Sequence, residues 1–218
     1  MTVRVASLIY LLFTVAVTNV CAEESCAFIL SGYESSTSKG LYQKIGQEYQ
    51  SAGIRPIYIE IDWSTSDITD YVAQAKSYMS KCGAINQYFY GFSMGGVIAL
   101  ALAAEEEPVS LVVSSIAPFF KEDLEKLAWY SPHKIYKWWL FGDSESISMT
   151  NIVTSINKSK TKVVLLVGSK EKEKMLQKSK SLASDLINAD LFVMDGLEHG
   201  VSQNGHIDHI VSSFKKHL

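Results

Sequence analysis

Two rhythms of apolar residues alternate along this chain. Short apolar runs end at Gly or in polar clusters, at residues 26–31, 57–61, 87–92, 109–116, 162–167 and 189–194. Runs of that length with such boundaries predict six buried strands. Between them, apolar residues recur every three or four positions, which is the spacing of one helix face. Leu41, Ile45 and Tyr49 do so within residues 40–52, ahead of a stop at Gly53. Ile68, Tyr71, Val72, Ala75, Tyr78 and Met79 trace a second such face. A Lys-rich helix turns Met175, Leu182, Ala183 and Leu186 inward, and Ile207, Ile210, Val211, Phe214 and Leu218 close the chain. The Lys215–Lys216 pair fits that helix's C-terminus, where cations offset the dipole. Residues 93–104 are different, being small and apolar all round and stopped by Pro108. A helix of that kind lies buried against a sheet.

Strands that are apolar throughout, alternating with helices, predict an α/β fold with a mostly parallel sheet of about six strands and helices on both faces. The one long interruption is residues 117–161, which hold Trp129, Tyr130, Tyr136, Trp138, Trp139 and Phe141. An insertion of this length and aromatic content reads as a helical lid over a site. A helical pair filling one end of the core is the alternative.

The N-terminus stands apart. Arg4 is the sole charge in the first 22 residues; an apolar run follows at 6–17, and the small-residue exit ends at Ala22 before Glu23 and Glu24. This is the layout of a secretory signal peptide, cleaved after Ala22, leaving a domain at 23–218. The apolar run is shorter than the ~20 residues of a membrane-spanning helix, although an uncleaved anchor is the alternative. Cleavage removes Arg4, so the net charge moves from −3 to −4. It also removes Cys21 and leaves Cys26 and Cys82, an even pair that indicates a disulfide in an exported, periplasmic or secreted protein. No basic block is present, so nucleic-acid binding has no electrostatic footing.

The strongest chemical signal is Gly91-Phe92-Ser93-Met94-Gly95, followed by Gly96. It matches G-x-S-x-G and falls between a predicted strand and a predicted helix, where the motif holds a nucleophilic serine on a sharp turn. Side chains at 91 and 95 would collide with the neighbouring backbone. A serine hydroxyl needs a base, and His199 follows the last strand, at the sheet end that also carries Ser93. His206 and His209 lie three apart on the final helix, too few for a metal site; a solvated face accounts for them. His133 and His217 have no supporting context. Chain order for such a serine is nucleophile, acid, histidine. Glu171, after the fifth strand, is the candidate acid, with Glu173 two residues on as the alternative and Asp123 and Asp143 as weaker ones. The oxyanion donors expected are the backbone N–H of Met94, opening its helix, and that of Tyr33, after Gly32.

Gly-Phe-Ser-Met-Gly-Gly, with strand-Gly-Tyr before it and Glu-His-Gly after it, resembles the α/β-hydrolase superfamily over nearly all of residues 23–218. The resemblance implies a reduced member whose first strand matches the family's third, the usual first two being missing. It also implies hydrolysis of a small-molecule acyl or ester substrate through an acyl-enzyme, as by a carboxylesterase, lipase, thioesterase or peptidase, without metal or cofactor. The family's strand order places the strand from Cys26 beside the strand from Gln87, and so implies a Cys26–Cys82 bridge. Two departures stand out. Ser31-Gly32 replaces the frequent His-Gly, and Glu171 replaces the usual Asp. They leave a non-catalytic binding protein as the rival from another class. Residues 134–141 (KIYKWWLF) mix Lys with aromatic residues, a pattern suited to a membrane surface.

Overall fold

A computed structural model describes residues 25–64, 68–83, 85–123, 147–200 and 206–217 of the 218-residue chain. The expected signal peptide and the aromatic centre of the 117–161 insertion, including residues 134–141, lie outside the described residues.

Six parallel strands form one sheet: β1 Ser25–Leu30, β2 Arg55–Ile59, β3 Asn86–Phe92, β4 Ser110–Ser114, β5 Lys162–Gly168 and β6 Ala189–Met194. Their spatial order is β2-β1-β3-β4-β5-β6, so the chain starts inside the sheet and reverses direction between β2 and β3. The helices are α1 Gly40–Ser51, α2 Ile68–Met79, α3 Met94–Glu106, α4 Met149–Ile156, α5 Glu173–Asp185 and α6 His206–Lys215.

Alternation along each strand sends side chains to two cores. Phe28 and Leu30 of β1, Leu111 and Val113 of β4, and Val163 and Leu165 of β5 pack with α2, α3, α4 and α5. Ala27, Ile29, Val112, Val164 and Leu166 point the other way, onto α1 and α6. Helix α3 lies deepest, with every residue from Met94 to Ala103 buried. Its glycines explain the depth, since a Cβ at Gly96 would stand 2.7 Å from Val113 Cγ1.

Two strand limits differ from expectation. The second strand runs Arg55–Ile59, two residues earlier than its apolar run, and includes Pro56. A proline is tolerated there because β2 is an edge strand. The fourth strand stops at Ser114, because Ser115 takes φ 53° and turns the chain. Within 117–161, the described ends belong to the core. Ile147, Ile152 and Ile156 are buried, and α4 packs beside α3. The stem of this segment is cinched by Glu122, whose carboxylate accepts from the Ser148 hydroxyl and the backbone N–H groups of Met149 and Thr150. The lid reading itself rests on residues outside those described.

Cys26, opening β1, and Cys82, before β3, form a disulfide with a Cα–Cα distance of 6.4 Å. Parallel neighbours begin at the same end of the sheet, which brings these two residues together. Among the described residues, no helix is long and apolar enough to cross a membrane.

Candidate active site

Ser93 is the single residue between β3 and α3. Its φ of 53° and ψ of −115° are costly for a residue with a Cβ. Three hydrogen bonds hold it there. The Ser93 N–H donates to Ser114 O at 2.9 Å, and the Ser93 carbonyl accepts from the N–H groups of Gly96 and Ala117. The motif glycines are steric necessities. A Cβ on Gly91 would lie 2.6 Å from Gly96 Cα, and one on Gly95 would lie 2.8 Å from Leu30 O. Neither clash could be relieved by a side-chain rotation, because backbone is what the Cβ meets.

The loops after β5 and β6 bring two more groups to the same end of the sheet. His199 Nε2 lies 3.2 Å from Ser93 Oγ, and His199 Nδ1 lies 3.0 Å from Glu171 Oε2. The Glu171 side chain is completely buried, whereas that of His199 is about 30% exposed. An ionised carboxylate only accepts, so Nδ1 carries the ring proton and Nε2 presents its lone pair to Ser93. Phe92 stacks on the imidazole at 5.3 Å between centroids, fixing the plane of the ring. The two loops are laced to each other. The Lys170 N–H donates to Leu197 O, the Ser169 N–H donates to Met194 O, and the Gly196 N–H donates to Ser169 Oγ. Gly168 lets them approach, since a Cβ there would fall 2.6 Å from the carbonyl carbon of Leu197.

The alternative acids are engaged elsewhere. Glu173 opens α5 and accepts from Gln177 Nε2 at 2.6 Å. Asp123 pairs with Lys178, both side chains largely buried. Asp143 and His133 lie outside the described residues. His209 is exposed on α6, and the His217 ring packs on Phe192. No group of three potential metal-ligating residues occurs among the described residues.

Met94 is the first residue of α3, at the positive end of the helix dipole, where backbone N–H groups lack partners within the helix. The turn after β1 passes directly beside it, because a Cβ on Gly32 would lie 3.4 Å from Ser93 Cβ. Tyr33 follows, with its ring exposed and edge-on to Trp63 at 5.3 Å. Ser31, the departure noted in the sequence, is fully buried and donates its hydroxyl proton to Ser35 O at 2.6 Å, closing this turn. Glu60 braces the next residues by accepting from the Thr37 N–H and from the hydroxyls of Ser36 and Thr37. Sequence reasoning did not single out Phe92, Tyr42 or Glu60. The position of Phe92 inside the G-x-S-x-G motif was the one signal available for any of them.

No protein-family model matches the sequence, and no curated protein does. Solved structures do match its three-dimensional form. Est1E of Butyrivibrio proteoclasticus, solved with ferulic acid bound, superposes with a TM-score of 0.72 at 14% identity, over 89% of this chain and 88% of that one. MGS-MChE2, an α/β hydrolase from a metagenome of lagoon sediments at Mar Chica, Morocco, gives 0.66 at 19% identity, over 89% and 90%. A structure from a study of carboxylesterases of the archaeon Nitrososphaera gargenis gives 0.62 at 15% identity, over 89% and 92%. The chain therefore has the α/β-hydrolase fold, and β1 pairs with β3 as the resemblance implied.

Proposed function

We propose that this protein is a serine hydrolase of carboxylesterase type, cleaving small acyl esters with Ser93, His199 and Glu171. The observation that carries the reading is the line from Ser93 Oγ to His199 Nε2 at 3.2 Å and from His199 Nδ1 to buried Glu171 at 3.0 Å. A nucleophile, a base within reach and an orienting carboxylate are the parts that acyl transfer needs.

In the first half-reaction, Ser93 Oγ bonds to the ester carbonyl carbon while His199 Nε2 takes the hydroxyl proton. Glu171 holds the Nδ1–H and offsets the charge on the imidazolium. The carbonyl oxygen becomes an oxyanion facing the N–H groups of Met94 and Tyr33. As the tetrahedral species collapses, the C–O bond breaks and His199 gives its proton to the departing alcohol. In the second half-reaction, His199 takes a proton from water, the hydroxide adds to the acyl carbon, and Ser93 leaves with its proton restored. No step needs a metal or cofactor.

Two of the similar structures come from work on a ferulic-acid-binding protein and on carboxylesterases, which supports esters over other acyl compounds. The Cys26–Cys82 disulfide, together with the N-terminal sequence pattern, supports export to an oxidising compartment.

The test is turnover of a panel of p-nitrophenyl esters, a thioester and a peptide amide by wild type and Ser93→Ala. Ester hydrolysis that is lost in the variant supports the reading. Turnover confined to the thioester or the amide transfers the same machinery to another leaving group. Ester turnover retained in Ser93→Ala sinks it.

A further inference from the structure

We propose that Tyr42 is a positioning residue for catalysis, holding the oxyanion turn in register with the nucleophile and its base. The inference rests on the reading above, and three observations carry it.

The first is a hydrogen bond. Gly32 donates its backbone N–H to the Tyr42 hydroxyl at 3.1 Å, in a buried setting. That amide is committed to Tyr42 and is withdrawn from substrate, so it is not itself an oxyanion donor. The bond also sets the orientation of the 32–33 peptide. Its neighbours complete the turn: the Ser35 N–H donates to Gly32 O at 3.1 Å, and the Ser31 hydroxyl donates to Ser35 O.

The second is the placement of Tyr42. It belongs to α1, on the opposite sheet face from α3, and is completely buried against β1 and β3. Its backbone and ring are fixed by packing, so the hydroxyl is a rigid anchor for the start of a loop whose next residues are braced by Glu60. Burial pushes the phenol pKa up. The group therefore stays a neutral hydroxyl across the working range and keeps one geometry.

The third is a line of rings. Tyr42 meets Phe92 edge-on at 6.5 Å, and Phe92 stacks on His199 at 5.3 Å. One side chain thus touches the oxyanion turn directly and reaches the general base through a single intervening ring. The oxyanion donors and the base must act on one tetrahedral carbon, and a displacement of an ångström costs about 100-fold in rate. A rigid body linking both is what such alignment requires.

The experiment is Tyr42→Phe, which keeps the ring and deletes the acceptor for Gly32. With p-nitrophenyl acetate, kcat should fall about 10- to 100-fold while KM stays within about twofold. Affinity for a boronic acid that mimics the tetrahedral species should fall by the same factor as kcat/KM. A residue with a merely structural role would lower the thermal midpoint and leave both the kcat-against-KM split and the boronate ratio at wild-type values. That result overturns the inference while the esterase reading stands. Should Tyr42→Phe fail to fold, 3-fluorotyrosine at position 42 preserves the packing and weakens the acceptor. A smaller fall in kcat at constant KM supports the role, and unchanged kcat overturns it. Wild type that neither hydrolyses the ester nor binds the boronate overturns the esterase reading and this inference with it.

Discussion

The two ends of the sheet are built on different principles. At the carboxyl end, Ser93, Ser115 and Glu34 all take positive φ, Glu171 is buried, and loops pass so closely that glycine is required at 91, 95 and 168. At the amino end, one such residue, Glu107 with φ 47°, caps α3 ahead of β4, the turns leave Ile85 and Ile187 exposed, and a disulfide ties β1 to the approach of β3. Backbone strain persists only where surrounding structure over-determines it, and it gathers where chemistry needs fixed geometry. The amino end has no such duty, so a covalent staple there can support the fold without constraining the site. Removing a site side chain at the carboxyl end should therefore cost activity and spare the fold, a Cβ forced onto a glycine there should cost stability, and loss of the amino-end staple should cost stability alone.

The largest expected effect is at the carboxyl end. Ser93→Ala should lower ester turnover by about a million-fold, with the thermal midpoint close to wild type. Steady-state kinetics alongside a melting curve checks both parts. Glu171→Gln should lower kcat about 10⁴-fold, because an amide no longer selects the Nδ1–H tautomer of His199. A variant retaining a tenth of wild-type kcat would contradict Glu171 as the orienting acid. Gly95→Ala should destabilise by more than about 4 kcal/mol, since its Cβ meets the backbone of β1 and nothing there can rotate away. Urea unfolding measures it, and a midpoint near wild type would contradict the close approach of α3.

At the amino end the signs exchange. Cys82→Ser should cost about 3–4 kcal/mol in urea unfolding while kcat remains unchanged. A fall in kcat would show that the two ends are coupled. The smallest effect is at the cinched stem of the 117–161 segment. Burial by itself would raise the Glu122 pKa, but hydrogen bonds from Ser148, Thr150 and Met149 outweigh it and hold the group at about 2, against an ordinary 4.5. A depressed carboxylate contributes stability that is fully present above the unfolded value and is lost as pH falls through the folded one. Between pH 5 and 2, on the scale those two values set, wild type should therefore lose stability more steeply than Glu122→Gln. At neutral pH, that variant should be destabilised by about 1 kcal/mol. Parallel pH curves would contradict the clamp.

Much of this was legible in the sequence because it is written in local pattern. The strands at 86–92, 162–168 and 189–194 and the all-apolar α3 follow from periodicity and from Gly and Pro boundaries. Ser93 was legible because its motif is contiguous. His199 and Glu171 were legible because each follows a strand whose end the topology places beside Ser93. Other features depend on contacts between distant residues and leave no local trace. Helix α4 hid inside an aromatic-rich segment, and its Ile152 and Ile156 became recognisable as core only against α3. Tyr42 reads in the sequence as an ordinary polar-edged helix position, because its hydroxyl partner is ten residues away across a turn. Ser31 looked like a departure from the usual pattern, and its role became clear only with Ser35 O beside it.

The central claim is that Ser93 is activated by His199, and the most direct measurement is labelling with a fluorophosphonate, which reacts with activated serines. Mass spectrometry of the labelled wild type should place one adduct on Ser93. Labelling should vanish in Ser93→Ala and fall to background in His199→Ala. A folded, disulfide-bonded wild type that takes no label, or one that is labelled equally with His199 removed, would contradict the account.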